Sequence, residues 1–144
     1  MIGEKSCGAI IYLNRASEPL YLLLHYEAGH WDFVKGNVEV NETEKETVVR
    51  ELREETGIID AHFVETFREQ IEYYYRRQGN TVHKEVVFYL MESNTETVAI
   101  SFEHIGSIWL NYNQAIEKLT FKNARALLKK ADKFLNTFHK ASFH

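Results

Sequence analysis

The chain has 144 residues, 44% apolar and 26% charged, a balance that suits a globular fold with a sizeable core. A net charge of −4 excludes a general attraction to nucleic acid, and no apolar run approaches the roughly 18 residues a membrane-spanning helix needs. The one cysteine, Cys7, excludes an internal disulfide, and residues 1–5 lack a basic-then-apolar leader pattern, so a single cytoplasmic domain over residues 1–144 is expected.

Residues 7–12 are β-branched and apolar and predict a first strand, with Cys7 a buried, inert thiol. Residues 15–19 form a polar connection holding the only proline. A leucine-rich second strand follows over 20–25 and is broken at Glu27-Ala28-Gly29. Residues 31–34 are short and extended and lead into Lys35-Gly36. A helix is then expected over 42–56. Asn41 and Glu44 have the spacing of a capping box, Val48, Val49, Leu52 and Thr56 share a face, and Gly57 supplies the stop. Strands are expected over 58–67, 70–76, 82–91 and 105–110, with a hairpin turn at Gln78-Gly79-Asn80. Asn111 caps a short helix. The last helix starts near Phe121, with Phe121, Ala124, Leu127, Leu128, Ala131, Phe134, Leu135 and Phe138 at helical spacing. The order predicts a mixed α/β fold, a helix–sheet–helix sandwich.

Charge is unevenly spread. Seven of the 21 acids lie between Glu39 and Glu55, whereas residues 118–140 carry seven basic residues and one acid, Asp132. Glu51, Glu54 and Glu55 are spaced i, i+3 and i+4, so they meet on one helix face and repel by a few tenths of a kcal/mol per pair. Arg50 lies about 100° around the helix from Glu51 and relieves this only in part. A divalent cation relieves it better. With oxygen donors and no neighbouring histidine or cysteine, Mg²⁺ suits the site and zinc does not. A solvated acidic face is the competing reading of the three glutamates by themselves.

Gly36, five residues, Glu42, seven residues, then Arg50-Glu51-Leu52-Arg53-Glu54-Glu55-Thr56-Gly57-Ile58 resembles the Nudix box at every specified position. The resemblance implies an α/β/α sandwich with a mixed sheet and a catalytic loop–helix–loop. It implies a Mg²⁺- or Mn²⁺-dependent hydrolase that cuts a phosphoanhydride in a nucleoside polyphosphate. Metal ligation then falls to Glu51, Glu54, Glu55 and the Gly36 carbonyl, with Glu103 as a further ligand or base. Glu51, Glu54 and Glu103 are the candidate catalytic carboxylates, with Glu51 preferred, and Glu42 and Arg50 form a structural ion pair. Such chemistry depends on neutralising phosphate oxygens and orienting a water.

Residues 31–39 and the Tyr73-Tyr74-Tyr75, Glu103-His104, Trp109-Leu110 and Phe121-Lys122 segments are similar to asymmetric diadenosine tetraphosphate hydrolases, except that Val34 stands where a proline is usual. This implies cleavage of diadenosine tetraphosphate to ATP and AMP. His30 and Lys35 would contact phosphate, and Tyr73 and Phe121 would stack on the adenine. Phe121 also fits the apolar stripe of the last helix, and Arg76 and Arg77 sit near the hairpin tip. RNA 5′ ends and nucleoside triphosphates are the rival substrates. Lys122, Arg125, Lys129 and Lys133 form either a solvated stripe or an RNA-end contact. A non-catalytic nucleotide sensor is the rival of another class, which the intact Arg50, Glu51, Glu54 and Glu55 set disfavours.

Overall fold

The computed structural model describes residues 2–15 and 18–142, with side chains through Thr137. Residues 16 and 17 of the expected connection, and the side chains of Phe138 and Lys140, lie outside the described residues. In chain order the elements are β1 (Ile2–Arg15), β2 (Glu18–Tyr26), β3 (Trp31–Asp32), β4 (Val34–Asn37), α1 (Glu44–Thr56), β5 (His62–Arg77), β6 (Asn80–Glu92), β7 (His104–Leu110), α2 (Tyr112–Lys118) and α3 (Lys122–Ser142). The strands form one mixed sheet of order β3-β2-β1-β6-β5, with β4 pairing β1 and β7 pairing β2. β1 lies parallel to β6 and antiparallel to β2 and β4.

Period-two alternation sorts the central strands between two cores. Cys7, Ala9, Ile11, Leu22, Leu24, Val87 and Met91 face α1, where they meet Val48 and Leu52. Ile10, Tyr12, Tyr21, Leu23, Val86, Phe88 and Leu90 face the other way, onto Ala115, Leu119, Ala124, Leu127, Leu128, Ala131 and Leu135. The expected sandwich is therefore the observed one, with both sheet faces apolar because both are covered. Tyr21, fully buried, donates to Asp132 at 2.6 Å and locks α3 to the sheet. Burial pushes the Cys7 thiol up to about 11, as an inert core thiol requires. Among the described residues no helix is long and apolar enough to cross a membrane.

Four local expectations are corrected. The cap of α1 is Thr43, not Asn41: Thr43 Oγ1 accepts from Glu46 N–H at 3.1 Å, and Glu46 Oε1 accepts from Thr43 N–H at 2.8 Å. Asn41 instead takes a left-handed turn conformation, φ 68°, ahead of the helix. Val49 is half exposed, so only Val48, Leu52 and Thr56 of the expected face are buried. The two strands expected over 58–67 and 70–76 are one strand, β5, whose register slips between Phe63 and Arg68 around Thr66 at φ 69°. Residues 58–61 precede it as loop. Gly57 ends α1 as expected, at φ 77° with its N–H on the Arg53 carbonyl, a conformation most side chains resist.

Glu44 is held rather than free to cap. It accepts two bonds from Arg68 at 2.8 and 2.9 Å, one from Tyr89 at 2.6 Å, and pairs with Lys5 at 2.8 Å. These contacts tie the start of α1 to β1, β5 and β6. The Arg68 hydrogen bonds, then those of Lys5 and Tyr89, hold the Glu44 carboxyl well below the usual range, against the opposing pull of burial. Replacing Glu44 with Gln should cost about 2 kcal/mol of stability, since charge-assisted bonds contribute about 1.5–3 kcal/mol. A depressed carboxylate stabilises fully above its unfolded value of 4.5 and loses that contribution as pH falls through the lower folded value. Denaturant titrations should show the gap between wild type and Glu44→Gln at full size near pH 7 and shrinking below pH 4.5. A gap that grows on acidification contradicts the assignment.

Candidate functional site

The acidic face of α1 lies against β4. Gly36 pairs with Cys7 in the sheet, and a Cβ built on it would stand 2.0 Å from Glu51 Oε1. Only a bare backbone lets the strand reach the helix here, which brings the Gly36 peptide against the carboxylates. Gly36, Glu51, Glu54, Glu55 and Glu103 line one polar cleft of about 520 Å³, together with Lys35, Asn37, Glu39, Arg50, Ser101 and Phe102. The structure thus brings the candidate metal and catalytic residues into one place, across a sequence separation from 36 to 103.

Their environments differ. Glu55 is buried, Glu51 mostly so, and Glu54 and Glu103 are exposed. Burial first, then hydrogen bonding to Glu51 and the charges of Glu51 and Glu103, push the Glu55 carboxyl up to about 9. Its Oε2 has no hydrogen-bond partner. Among the described residues no three acidic, histidine or cysteine side chains converge as a finished ligand shell. Glu54 turns instead to Arg50. The donor chemistry nonetheless fits a hard divalent cation: two crowded carboxylates, one with an orphaned buried oxygen, beside a peptide carbonyl and an open polar cleft.

Arg50 offsets the carboxylate repulsion more fully than its angular position on the helix suggests, because its long side chain folds back. Its Nε donates to Glu42 at 2.6 Å, its Nη2 to Glu42 and to the Asn37 carbonyl at 3.0 and 2.9 Å, and its Nη1 to Glu51 and Glu54 at 2.9 and 3.1 Å. The expected Glu42–Arg50 pair is present, and chiefly through the Arg50 hydrogen bonds it brings the Glu42 carboxyl down to about 2. Glu42 also accepts from Thr47 and from the Glu39 N–H, both at 2.9 Å, which stitches the loop onto the helix.

A second cavity, of about 400 Å³, adjoins through Lys35. Tyr73, Phe121, Ile71, Phe88, Lys122 and Leu127 are among its walls. Tyr73 is 38% and Phe121 47% exposed, so neither ring is spent in the core, and Phe121 precedes the apolar stripe of α3. Lys35 pairs with buried Asp32 at 3.2 Å and borders both cavities. His30 borders neither. It stacks on Tyr26 at 4.6 Å and lies 5.2 Å from the Phe121 ring, and burial lowers its pKa. Arg76 and Arg77 are taken up by Thr81, the Gly79 carbonyl and Glu4. In the basic stripe, Arg125 bonds the Leu119 and Thr120 carbonyls, while Lys122, Lys129 and Lys133 are exposed.

Three residues of this neighbourhood carry contacts to which the sequence pattern assigned no role. Tyr26 donates to the Phe33 carbonyl at 2.6 Å and packs edge-on against His104 at 4.4 Å. His104 is buried against Glu55. Lys84 donates to Asn37 Oδ1 at 2.9 Å. The signal available for His104 was its place beside Glu103 at the start of a strand, where alternation turns one neighbour inward as the other faces out.

A carboxyl raised by burial keeps its proton when the unfolded chain has lost it, so stability falls as pH rises between 4.5 and about 9. Glu55→Gln removes that slope. In chelator, thermal melts from pH 5 to pH 8 should favour the variant increasingly over wild type. Parallel melting curves across that range would contradict the buried-carboxylate account.

Comparison with known proteins agrees with this geometry. The NUDIX domain family matches residues 5–131. Bis(5′-nucleosyl)-tetraphosphatase [asymmetrical] of Mus musculus is 33% identical over 143 residues, covering 91% of this chain and 95% of that protein. Dihydroneopterin triphosphate diphosphatase of Haemophilus influenzae is 26% identical, with 88% and 86% covered. Among solved structures, a binary complex of the C. elegans Ap4A hydrolase superposes with a TM-score of 0.82 at 29% identity, over 93% of this chain and 98% of that one. The chain belongs to the NUDIX domain family and is a Nudix hydrolase, a pyrophosphohydrolase built on that family's α/β fold.

Proposed function

We propose that the enzyme hydrolyses diadenosine tetraphosphate asymmetrically to ATP and AMP, with Mg²⁺ or Mn²⁺ as cofactor. The observation that carries this reading is the pair of adjoining cavities joined at Lys35, one polar and carboxylate-lined, the other walled by aromatic and apolar side chains. A polyphosphate needs the first and a nucleobase the second, and a dinucleoside polyphosphate offers both. The similarity to tetraphosphatases over nearly the whole chain supports the same substrate class.

In this reading Glu51, Glu54, Glu55, Glu103 and the Gly36 carbonyl hold the cation. When bound, it supplies Lewis-acid polarisation of a phosphoryl oxygen and lowers the pKa of a water. Glu51 is the general base, since it lines the cleft close to Gly36 while Arg50 holds its carboxylate. Glu54 and Glu103, more exposed, are its alternates. Lys35 offsets phosphate charge. Tyr73 and Phe121 hold the adenine between ring faces, which bind a base without a demanding hydrogen-bond set. His30 backs Phe121 and reaches phosphate only by leaving its stack on Tyr26.

The test is a comparison of kcat/KM over diadenosine polyphosphates, nucleoside triphosphates, nucleotide sugars and triphosphorylated RNA, with product analysis. ATP and AMP should be the products of diadenosine tetraphosphate, and Glu55→Gln should lose at least about 10²-fold in kcat. Two ADP as the main product, or a strong preference for a triphosphate or an RNA end, contradicts the proposal.

Tyr73 gives a separate check on the aromatic cavity. Stacking contributes roughly 1–3 kcal/mol per base. Because the base is remote from the reacting phosphorus, its binding is largely uniform between ground and transition states. Tyr73→Ala should raise KM for diadenosine tetraphosphate by about ten-fold and change kcat less. An unchanged KM removes Tyr73 from the site.

A further inference from the structure

The loop between β6 and β7 docks on the end of α1. Ala99 N–H donates to the Thr56 carbonyl at 2.9 Å and Ser101 N–H to the Glu55 carbonyl at 3.3 Å. The next residues continue the contact through side chains. Ser101 Oγ accepts from Glu103 N–H at 3.4 Å and lies 3.0 Å from His104 Nδ1. The serine O–H is free to donate to Nδ1 while its oxygen takes the Glu103 N–H, an arrangement in which Nδ1 is the acceptor. That arrangement places the imidazole proton on Nε2. Nε2 stands 3.1 Å from Glu55 Oε1, both side chains being almost wholly excluded from solvent, although the pair is not aligned as a hydrogen bond and Nε2 has no other partner. Tyr26 packs against the ring at 4.4 Å and restricts its swing.

We propose that His104 is a positioning residue for the cation site: its Nε2–H, oriented by Ser101, steers Glu55 Oε1 so that the orphaned Oε2 is the oxygen offered to the metal. The inference rests on the reading of Glu55 as a ligand. Its logic is that of any buried liganding carboxylate. One oxygen is fixed by a neighbouring donor, and the other then binds without an ordering cost at the moment of capture. The relay also explains why the same short loop carries Glu103. The serine that accepts the Glu103 N–H is the one that sets the histidine, so the two ends of the ligand set are placed by a single structural device.

Mn²⁺ binding to the chelator-stripped full chain, followed by the loss of the free-ion EPR signal, tests the proposal without turnover. His104→Leu should weaken Mn²⁺ affinity by about 10–100-fold, the range for lost second-sphere partners. His104→Gln, whose amide N–H₂ can occupy the Nε2 position, should recover affinity to within about three-fold of wild type, and Ser101→Ala should fall between the two. Thermal melts accompany each variant. A folded His104→Leu that binds Mn²⁺ like wild type overturns the proposal, and so does a His104→Gln that loses as much as His104→Leu, which would mark the ring as filler. If His104→Leu does not fold, Ser101→Ala decides, and unchanged affinity there overturns the relay. Glu55→Gln, measured in parallel, separates this failure from that of the ligand reading: unchanged affinity in Glu55→Gln removes Glu55 from the ligand set itself.

Discussion

Everything at the site depends on keeping the Glu55 carboxyl buried against Glu51, where neither burial nor charge favours it. Such a placement is stored cost, and the surroundings must hold the helix still while it persists. α1 is fixed at both ends. Its first turn is anchored through Glu44 to Arg68, Lys5 and Tyr89 on three strands. Its last turn is closed by Gly57 and by backbone bonds from residues 99 and 101. Between them Arg50 collects Glu42, Glu51, Glu54 and the Asn37 carbonyl on one guanidinium. The planar fork of arginine permits this, and a lysine in its place would supply a point charge without the geometry.

The sheet contributes by bringing β4 against β1. β1 is central, flanked by β2 and β4 on one side and β6 on the other, and its fully buried residues leave it no freedom to shift. Glycine at 36 then lets backbone and carboxylate approach more closely than any side chain would allow. Val34, 1% exposed and paired with Ala9, anchors the same strand in the core, so an apolar side chain does there what a rigid residue would otherwise do.

Two cavities with opposite chemistry meet at Lys35, and the division follows from the layers. The polar cleft lies where the acidic end of α1 faces β4 and the loop at 101–103. The aromatic cavity lies where the start of α3 faces β5. On the proposed reading, phosphate charge and base stacking fall to different secondary-structure contacts. A change at the start of α3 reaches the aromatic cavity without touching the carboxylates of α1.

Sequence alone determined what depends on near neighbours along the chain. Glu51, Glu54 and Glu55 had to share a helix face, Gly57 had to end that helix, and Gln78-Gly79-Asn80 had to turn a hairpin, because these follow from backbone periods and local dihedral preferences. Asn41 and Thr43 show the limit of such rules. Each has a glutamate three residues on, so the local pattern is degenerate, and the choice fell to Thr43 because Glu44 is captured by strands distant in sequence. The slip in β5 at Thr66 and the exposure of Val49 were likewise decided by what packs on them. Tertiary structure alone placed His104 against Glu55, and local patterns did not join Gly36 and Glu103 to the helix, which the family resemblance implied and the fold brings into one cleft. Those contacts join segments tens of residues apart, and a periodicity of two or 3.6 residues carries no information about which distant surface will cover a given side chain.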